Sequence, residues 1–205
     1  MNDHQRLIAL LAERSARRGQ FTLASGRVST LYIDARMTTM SPDGLALIGR
    51  LGLAEITAAG WTPDAVGGLT LGADPISYAI SYASSSTPNP IRAFTVRKAP
   101  KAHGTAKLIE GPFNPGDRVV VIEDVITTGG SALKAISAIR QASGQILGLL
   151  ALVDREEGGR EMIEAEGISV RVLTPARRLL THLQGGSRHL EEDRSGRPDP
   201  DTRLR

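Results

Sequence analysis

Short apolar runs alternate with helical patterns through most of the chain, and this alternation limits the possible folds more than any other feature. Five runs are predicted strands: residues 65–69, 91–96, 119–122, 146–153 and 170–173. Between them, apolar residues recur at helical spacing, as at Leu133, Ile136 and Ile139. Strands that are apolar on both faces and separated by helices are typical of a parallel sheet covered on each side. The sequence therefore predicts an α/β fold, with ligands bound at the carboxyl ends of the strands.

The amino-terminal part of the chain carries separate signals. Apolar residues within 7–11 predict an opening helix that Gly19 ends, and a strand follows around residues 32–33. Ser41 followed by Pro42 predicts the start of another helix, because serine caps a helix and proline suits its first position. Further helices are predicted after Asp74 and over residues 161–166 and 175–183.

Two segments depart from the alternation. Residues 97–116 form a long connection, and such a connection inside a compact domain is typical of a functional loop or lid. Residues 185–205 contain only Leu190 and Leu204 as apolar residues, so they are predicted to be a disordered polar tail. We therefore expect one domain over residues 1–184.

Composition excludes several classes of function. The chain has no cysteine, which excludes disulfides, cysteine-bound metals and a thiol nucleophile. Its 25 basic and 22 acidic residues are nearly balanced and aromatic residues are only 3%, so no nucleic-acid partner is expected. The amino end has neither the profile of a signal peptide nor the length of a membrane span. We expect a cytoplasmic protein with no membrane partner.

Residues 119–131 are the most informative stretch. A four-residue apolar run leads to Glu123 and Asp124, and two hydroxyls and two glycines follow before a helical pattern. Glycines let a chain turn and present successive backbone N–H groups, and the positive end of the next helix lies behind them. This combination predicts a pocket for a monoester phosphate over residues 127–131.

The two acids indicate what carries that phosphate. Glu123 and Asp124 would repel a second phosphate beside them, but carboxylates accept hydrogen bonds from sugar hydroxyls. A phosphate next to a diol describes a ribose 5-phosphate. The alternative is that the acids and hydroxyls only cap the helix and keep the loop soluble. The dinucleotide and Walker fingerprints are both absent.

The whole string resembles the phosphoribosyl pyrophosphate (PRPP) signature of type I phosphoribosyltransferases, and further motifs resemble the orotate phosphoribosyltransferase family. These motifs are residues 21–26 with 32–34 (hood), 67–75 (pyrophosphate loop), 96–104 (mobile loop) and 153–155 (base-contacting strand end). The resemblance covers about residues 5–183. It implies the type I phosphoribosyltransferase fold, a central parallel sheet flanked by helices with a small N-terminal hood formed mainly by about residues 1–40.

The mobile-loop segment is strongly basic. Arg97, Lys98, Lys101 and His103 lie within seven positions, where they could stabilise the charge that develops on a departing pyrophosphate. A loop that closed over the site would also exclude water. The alternative is an ordinary solvated basic loop. The resemblance implies that these four residues bind the pyrophosphate of PRPP, and that some of them reach into the site of a neighbouring subunit.

The resemblance also implies the remaining roles. We expect Lys101, His103 and Asp124 to be catalytic, and His103 could change charge near neutral pH. Besides the four basic residues, the expected PRPP-binding residues are Glu123, Asp124, Val125, Ile126, Thr127, Thr128, Gly129, Gly130 and Ser131. The family's cofactor is Mg²⁺, expected here to be held through PRPP rather than by direct protein ligands. The working unit is expected to be a homodimer.

Orotate would be bound by Thr127 and Arg155. A planar guanidinium can hold a carboxylate through two parallel hydrogen bonds, and Arg155 matches the family's arginine for this purpose. From the residues alone, Arg155 could equally be half of a surface ion pair with Glu156 or Glu157. The implied reaction is transfer of ribose 5-phosphate from PRPP to orotate in pyrimidine synthesis.

The chain departs from the family pattern at two positions. Ala24 and Gly72 stand where some relatives have lysine, so two cationic contacts are missing. Arg27 or Lys98 could compensate, or the backbone N–H groups around Gly72 could suffice. Three other functions stay open: a purine phosphoribosyltransferase, a nucleotide-sensing regulator that keeps the fold, and an inactive paralogue.

The role expected for Lys101 is testable by kinetics. Lys101→Ala should lower the turnover number much more than it weakens PRPP binding, because its charge acts mainly in the transition state. Steady-state kinetics with PRPP varied would measure both quantities. An equal loss in both would remove Lys101 from the chemical step.

Overall fold

The structure, a computed structural model, describes residues 1–22, 28–99 and 107–184. Its strands are β1 (Ala16–Thr22), β2 (Val28–Ile33), β3 (Ala65–Leu69), β4 (Arg92–Val96), β5 (Ile109–Glu110), β6 (Arg118–Ile126), β7 (Gln145–Asp154) and β8 (Val170–Pro175). Its helices are α1 (Asp3–Leu10), α2 (Arg36–Thr39), α3 (Pro42–Ala58), α4 (Ala73–Ser84), α5 (Gly130–Gln141), α6 (Gly159–Glu164) and α7 (176–184). A π-helical turn, Leu11–Ser15, follows α1.

The predicted central sheet is present. Six strands pair in the order β5-β4-β3-β6-β7-β8, and all neighbours are parallel except β4 and β5. Strands β1 and β2 form a separate antiparallel pair. All five predicted strands are confirmed, with ends shifted by a few residues, and the α/β fold class is confirmed with them.

The apolar run at the start of β6 explains why the sheet is covered on both faces. Successive side chains of a strand point to opposite faces. Val120 and Ile122 accordingly pack in one hydrophobic cluster with α1, α3 and α4. Val119 and Val121 pack in a second cluster, with α5 and α6. Each layer of helices therefore buries one face of the same strand.

The order of the strands creates a crevice at one edge of the sheet. From β3 the chain continues outward to β4, whereas from β6 it continues in the opposite direction to β7. The loops that follow these two neighbouring strands therefore diverge and leave a cleft between them, where ligands bind in open α/β sheets. This arrangement brings residues 70–72 and 127–129 to one place.

Three predicted boundaries were wrong. The opening helical region ends at Ser15, and Gly19 lies within β1, where the pairing with β2 shifts register between Arg18 and Phe21. A Cβ at Gly19 would lie only 3.0 Å from the Phe21 ring, so the glycine marks an irregular strand pair rather than a helix end. The connection 97–116 contains β5, which is too short to show an alternating pattern. Strand β6 continues to Ile126, beyond the predicted end at residue 122, because the two acids interrupt the apolar pattern on which the prediction was based.

The predicted tail, 185–205, lies outside the described residues. Within the described ranges, no helix is both long enough and apolar enough to cross a membrane.

The predicted start of α3 is confirmed and can be tested. The Ser41 hydroxyl accepts a hydrogen bond from the Gly44 N–H at 3.3 Å and also one from Arg14. Ser41→Ala should therefore lower the free energy of unfolding by about 1 kcal/mol. Urea denaturation would measure the loss. Ser41→Asp, which keeps an acceptor at the same position, should retain most of the stability, and an equal loss in both variants would contradict the capping role.

Candidate active site

A cavity of about 360 Å³ opens at the carboxyl edge of the sheet, between the β2–α2 segment and the ends of β3, β6 and β7. Seven of the predicted site residues line it: Lys98, Glu123, Asp124, Val125, Thr127, Ser131 and Arg155. The structure therefore brings together residues that are 57 positions apart, from Lys98 to Arg155. Ile126 is different, because its side chain is buried in the core and only its backbone is left for a ligand.

The predicted phosphate loop has a constrained backbone. Gly129 adopts a positive φ of 80° at the start of α5, a conformation that favours glycine, and no side chain caps this helix. Gly159, at the start of α6, packs against the loop so closely that a Cβ there would lie 2.3 Å from the Thr127 carbonyl oxygen. The first turn of α5 therefore starts at the cavity, where Ser131 lines it, with no side chain capping its backbone N–H groups, which leaves them available to an anion.

The two acids differ in their environments. Glu123 is only 7% exposed, and burial together with the negative charge of Asp124 raises the pKa of Glu123 to about 8. Glu123 is therefore protonated near neutral pH and can donate a hydrogen bond as well as accept one. Burial also raises the pKa of Asp124, although the Val125 N–H, 2.9 Å from its Oδ1, favours the ionised form. The pair combines a neutral acid with a partly exposed carboxyl group.

Gly72 lies directly against Asp124. A Cβ at position 72 would lie 2.4 Å from the Asp124 Cγ, so no side chain fits there unless the carboxyl group moves. The cavity therefore has no cationic side chain from the β3–α4 loop. This contact gives a physical reason for glycine at a position where the family resemblance led us to look for lysine.

Arg155 follows β7 and is held in place by two partners. Its Nη2 donates to the Ser29 hydroxyl of β2 at 2.6 Å and lies 2.7 Å from Glu157 Oε1. The Arg155 side chain is only 6% exposed, so this is not a solvated surface pair. Glu156 instead pairs with Arg177. Of the two interpretations left open by the sequence, the ion pair with Glu157 is present, but it is buried beside the cavity rather than at the solvated surface, and the ligand-binding role of Arg155 stays a prediction.

The basic segment is described only in part. Arg97 lies 3.6 Å from Glu110 and its Nε donates to the Ala99 carbonyl, so it is directed along the β4–β5 pair. Lys98 is exposed and lines the cavity. Lys101 and His103, the predicted catalytic residues of this segment, lie outside the described residues.

The chain is similar to known proteins in both sequence and fold. No protein-family model matches the chain. The orotate phosphoribosyltransferase of Aquifex aeolicus is 48% identical over 183 residues, covering 88% of this chain and 99% of that protein. The crystal structure of Mycobacterium tuberculosis H37Rv orotate phosphoribosyltransferase in complex with PRPP is 41% identical, with a TM-score of 0.72, over 87% of this chain and 99% of that one. This chain belongs to the orotate phosphoribosyltransferase family.

The family assignment confirms the resemblance seen in the motifs. A more distant structure, the adenine phosphoribosyltransferase of Leishmania tarentolae, is 17% identical with a TM-score of 0.62 over 87% of this chain and 91% of that one. That likeness shows the fold alone. The expected type I phosphoribosyltransferase fold is therefore confirmed across enzymes for different bases.

Several cavity residues were absent from the predicted site. Leu69, Thr70 and Leu71 line it from the pyrophosphate-loop motif, and Arg36 lines it from the start of α2. The resemblance identifies this motif but assigns no contacts to its individual residues. No sequence signal indicated Arg36, because its closeness to the cavity depends on how β2 and α2 pack beside the sheet.

The raised pKa of Glu123 has a measurable effect on stability. The folded protein binds a proton at Glu123 up to about pH 8, whereas the unfolded chain releases it near the ordinary glutamate pKa of 4.5. The stability of the wild type therefore falls as pH rises through this interval, by at most about 1.4 kcal/mol per pH unit. Glu123→Gln should lack this contribution, so its stability relative to the wild type should increase from about pH 5 to about pH 8.

Urea unfolding of both proteins across that pH range would test the prediction. If the difference between the two free energies of unfolding stayed constant with pH, Glu123 would not titrate where we expect.

Proposed function

We propose that this protein catalyses the reversible transfer of ribose 5-phosphate from PRPP to orotate, producing orotidine 5′-phosphate and pyrophosphate, in the synthesis of pyrimidine nucleotides. One observation carries the proposal: a single cavity joins a glycine-containing helix start, an acid pair and a buried arginine. These three features match the phosphate, the ribose and the carboxylate of the two substrates. Family membership supports the same reaction.

In this proposal the phosphate loop and the acid pair hold PRPP. Backbone N–H groups over residues 127–131, with the positive end of α5 behind them, would bind the 5′-phosphate. Glu123 and Asp124 would bind the ribose hydroxyls. Because Glu123 is neutral and Asp124 is more exposed, one acid can donate to a hydroxyl oxygen while the other accepts a hydroxyl proton.

The chemical step would pass through an oxocarbenium-like sugar, as in glycoside chemistry. Breaking the bond between ribose carbon 1 and pyrophosphate places negative charge on the leaving group, so cations near that group lower the barrier. Lys98 lines the cavity and is suited to this role. We assign Lys101 and His103 to the same group on the strength of the mobile-loop motif.

Arg155 would bind the carboxylate of orotate, with Thr127 beside the base. A guanidinium offers two parallel donor pairs, Nε with Nη2 and Nη2 with Nη1. Both pairs include Nη2, which now contacts Ser29 and Glu157. Bidentate binding of orotate would therefore exchange one of these contacts for a carboxylate oxygen.

Mg²⁺ is the cofactor that fits this site. Within the described residues, no cluster of three or more histidines or acids could hold a metal ion by itself. Asp124 offers an oxygen donor beside the cavity, and a hard cation bound mainly through pyrophosphate oxygens suits that donor set. When bound, Mg²⁺ would neutralise charge on the pyrophosphate. We further propose a homodimer of single-domain subunits, each with a domain over residues 1–184, working in the cytoplasm.

An assay of orotate consumption with PRPP and magnesium would test the activity. Adenine, hypoxanthine and uracil should not replace orotate, because none of them carries a carboxylate for Arg155. Consumption of a purine instead would favour the purine enzyme. Sequence-specific binding of DNA or RNA without turnover would favour the regulator.

Arg155→Leu tests how the base is recognised. The Michaelis constant for orotate should rise by about tenfold or more, since a charge-assisted bond is lost, while the affinity for PRPP stays close to normal. Arg177→Leu is a matched control, because Arg177 also pairs with a glutamate but lies outside the cavity. A normal Michaelis constant for orotate in Arg155→Leu would show that the carboxylate binds elsewhere.

A further inference from the structure

The part of the cavity beside Gly72 needs a cation that the β3–α4 loop does not supply. A pyrophosphate group carries several negative charges, and Asp34, Glu123 and Asp124 all line the same cavity. Gly72 has no side chain, and the Asp124 carboxyl group occupies the space where one would begin. A polyanion placed here must therefore be neutralised by a residue from another element.

Arg36 is one such residue, in addition to Lys98, which lines the same cavity. It lies at the start of α2 and lines the cavity together with Leu71, Gly72 and Asp124. Its guanidinium is close enough to Asp124 to favour the ionised form of that acid, partly opposing the effect of burial, which raises the pKa of Asp124. Because Gly72 also touches Asp124, Arg36 and Gly72 approach the same carboxyl group.

The hydrogen bonds of Arg36 to Asp34 leave one edge of its guanidinium, with two parallel N–H donors, for a ligand. Nε donates to Asp34 Oδ1 at 2.8 Å and Nη2 donates to Asp34 Oδ2 at 2.9 Å. This pairing uses one of the two parallel donor pairs. The other pair, Nη1 with the second hydrogen of Nη2, makes no hydrogen bond to any described residue, and its geometry matches two oxygens of a phosphate.

We infer that Arg36 binds the pyrophosphate group of PRPP, held in position by Asp34 and supplying the cation that position 72 lacks. The inference rests on the proposed function, since it assumes that PRPP is the ligand of this cavity. Asp34 fixes the side chain, so less conformational entropy is lost when the anion binds. Asp34 also keeps part of the positive charge neutralised while the site is empty.

Isothermal titration calorimetry of the full chain in buffer with magnesium would test Arg36. Three ligands separate the contacts: PRPP, inorganic pyrophosphate, and ribose 5-phosphate, which lacks the pyrophosphate. In Arg36→Gln, binding of PRPP and of pyrophosphate should weaken by about tenfold or more, because a charge-assisted bidentate contact is lost. Binding of ribose 5-phosphate should change by less than about twofold, the size of effect expected when the substituted residue does not contact the ligand.

Arg118→Gln is a matched control. Arg118 pairs with Asp64 through the same two nitrogens, Nε and Nη2, but lies outside the cavity. This variant should bind all three ligands as the wild type does. Arg36→Lys keeps the charge but loses the planar fork, and it should weaken pyrophosphate binding by about threefold or more.

The outcomes are distinct. Unchanged pyrophosphate binding in Arg36→Gln, or an equal loss for ribose 5-phosphate, would overturn the inference. If Arg36→Gln did not fold, Arg36→Lys would decide in the same way. A wild type that bound PRPP but did not consume orotate would overturn the proposed function and leave the role of Arg36 standing. A wild type that bound neither PRPP nor pyrophosphate would overturn both.

Discussion

Burial of strand β6 on both faces is the constraint on which the site depends. Val119 to Ile122 are buried alternately in the two hydrophobic clusters, with exposed Arg118 before them and half-buried Asp124 after Glu123. A shift of the strand by one residue would therefore bury Arg118 in one direction, or expose Val119 and bury Asp124 in the other. That register places both acids at the cavity, with Glu123 almost fully buried and Asp124 more exposed. The different chemistry of these two adjacent acids is therefore a consequence of packing in the core, several residues away from any ligand.

Glycines complete the site because backbone and carboxyl groups come unusually close there. Gly72 leaves room for the Asp124 carboxyl group, and Gly159 leaves room for the Thr127 carbonyl. Gly129 supplies the positive φ from which α5 starts. A side chain is disfavoured at Gly72 by Asp124, at Gly159 by Thr127 and at Gly129 by its positive φ. Together these glycines allow three loops to meet at one edge of the sheet. A ligand can then approach backbone N–H groups that side chains would otherwise cover.

The sequence predicted the sheet better than its surroundings. Buried parallel strands are long apolar runs, which a pattern of residues reveals directly. The pair β4–β5 and the second half of β6 were missed because a two-residue strand has no period and because acids interrupted the run. In the site, Arg155 could be proposed from a motif, but its partner Ser29 is 126 positions away, and only the fold brings them together. Arg36 lies two residues beyond the hood motif at 32–34, and its place at the cavity depends on how β2 and α2 pack beside the sheet.

Two arginines that line the cavity are each held by a nearby acid, and the proposals above assign them to the orotate carboxylate and to the pyrophosphate. Arg155 is tied to Glu157 and, through Ser29, to strand β2. Arg36 is tied to Asp34, at the other end of the same β2–α2 segment. The Ser29 hydroxyl also donates to the Leu31 carbonyl, so β2 has a fixed local geometry where it meets Arg155. One short segment outside the central sheet thus positions both arginines. If they have the roles proposed above, a shift of that segment would alter the binding of both substrates together.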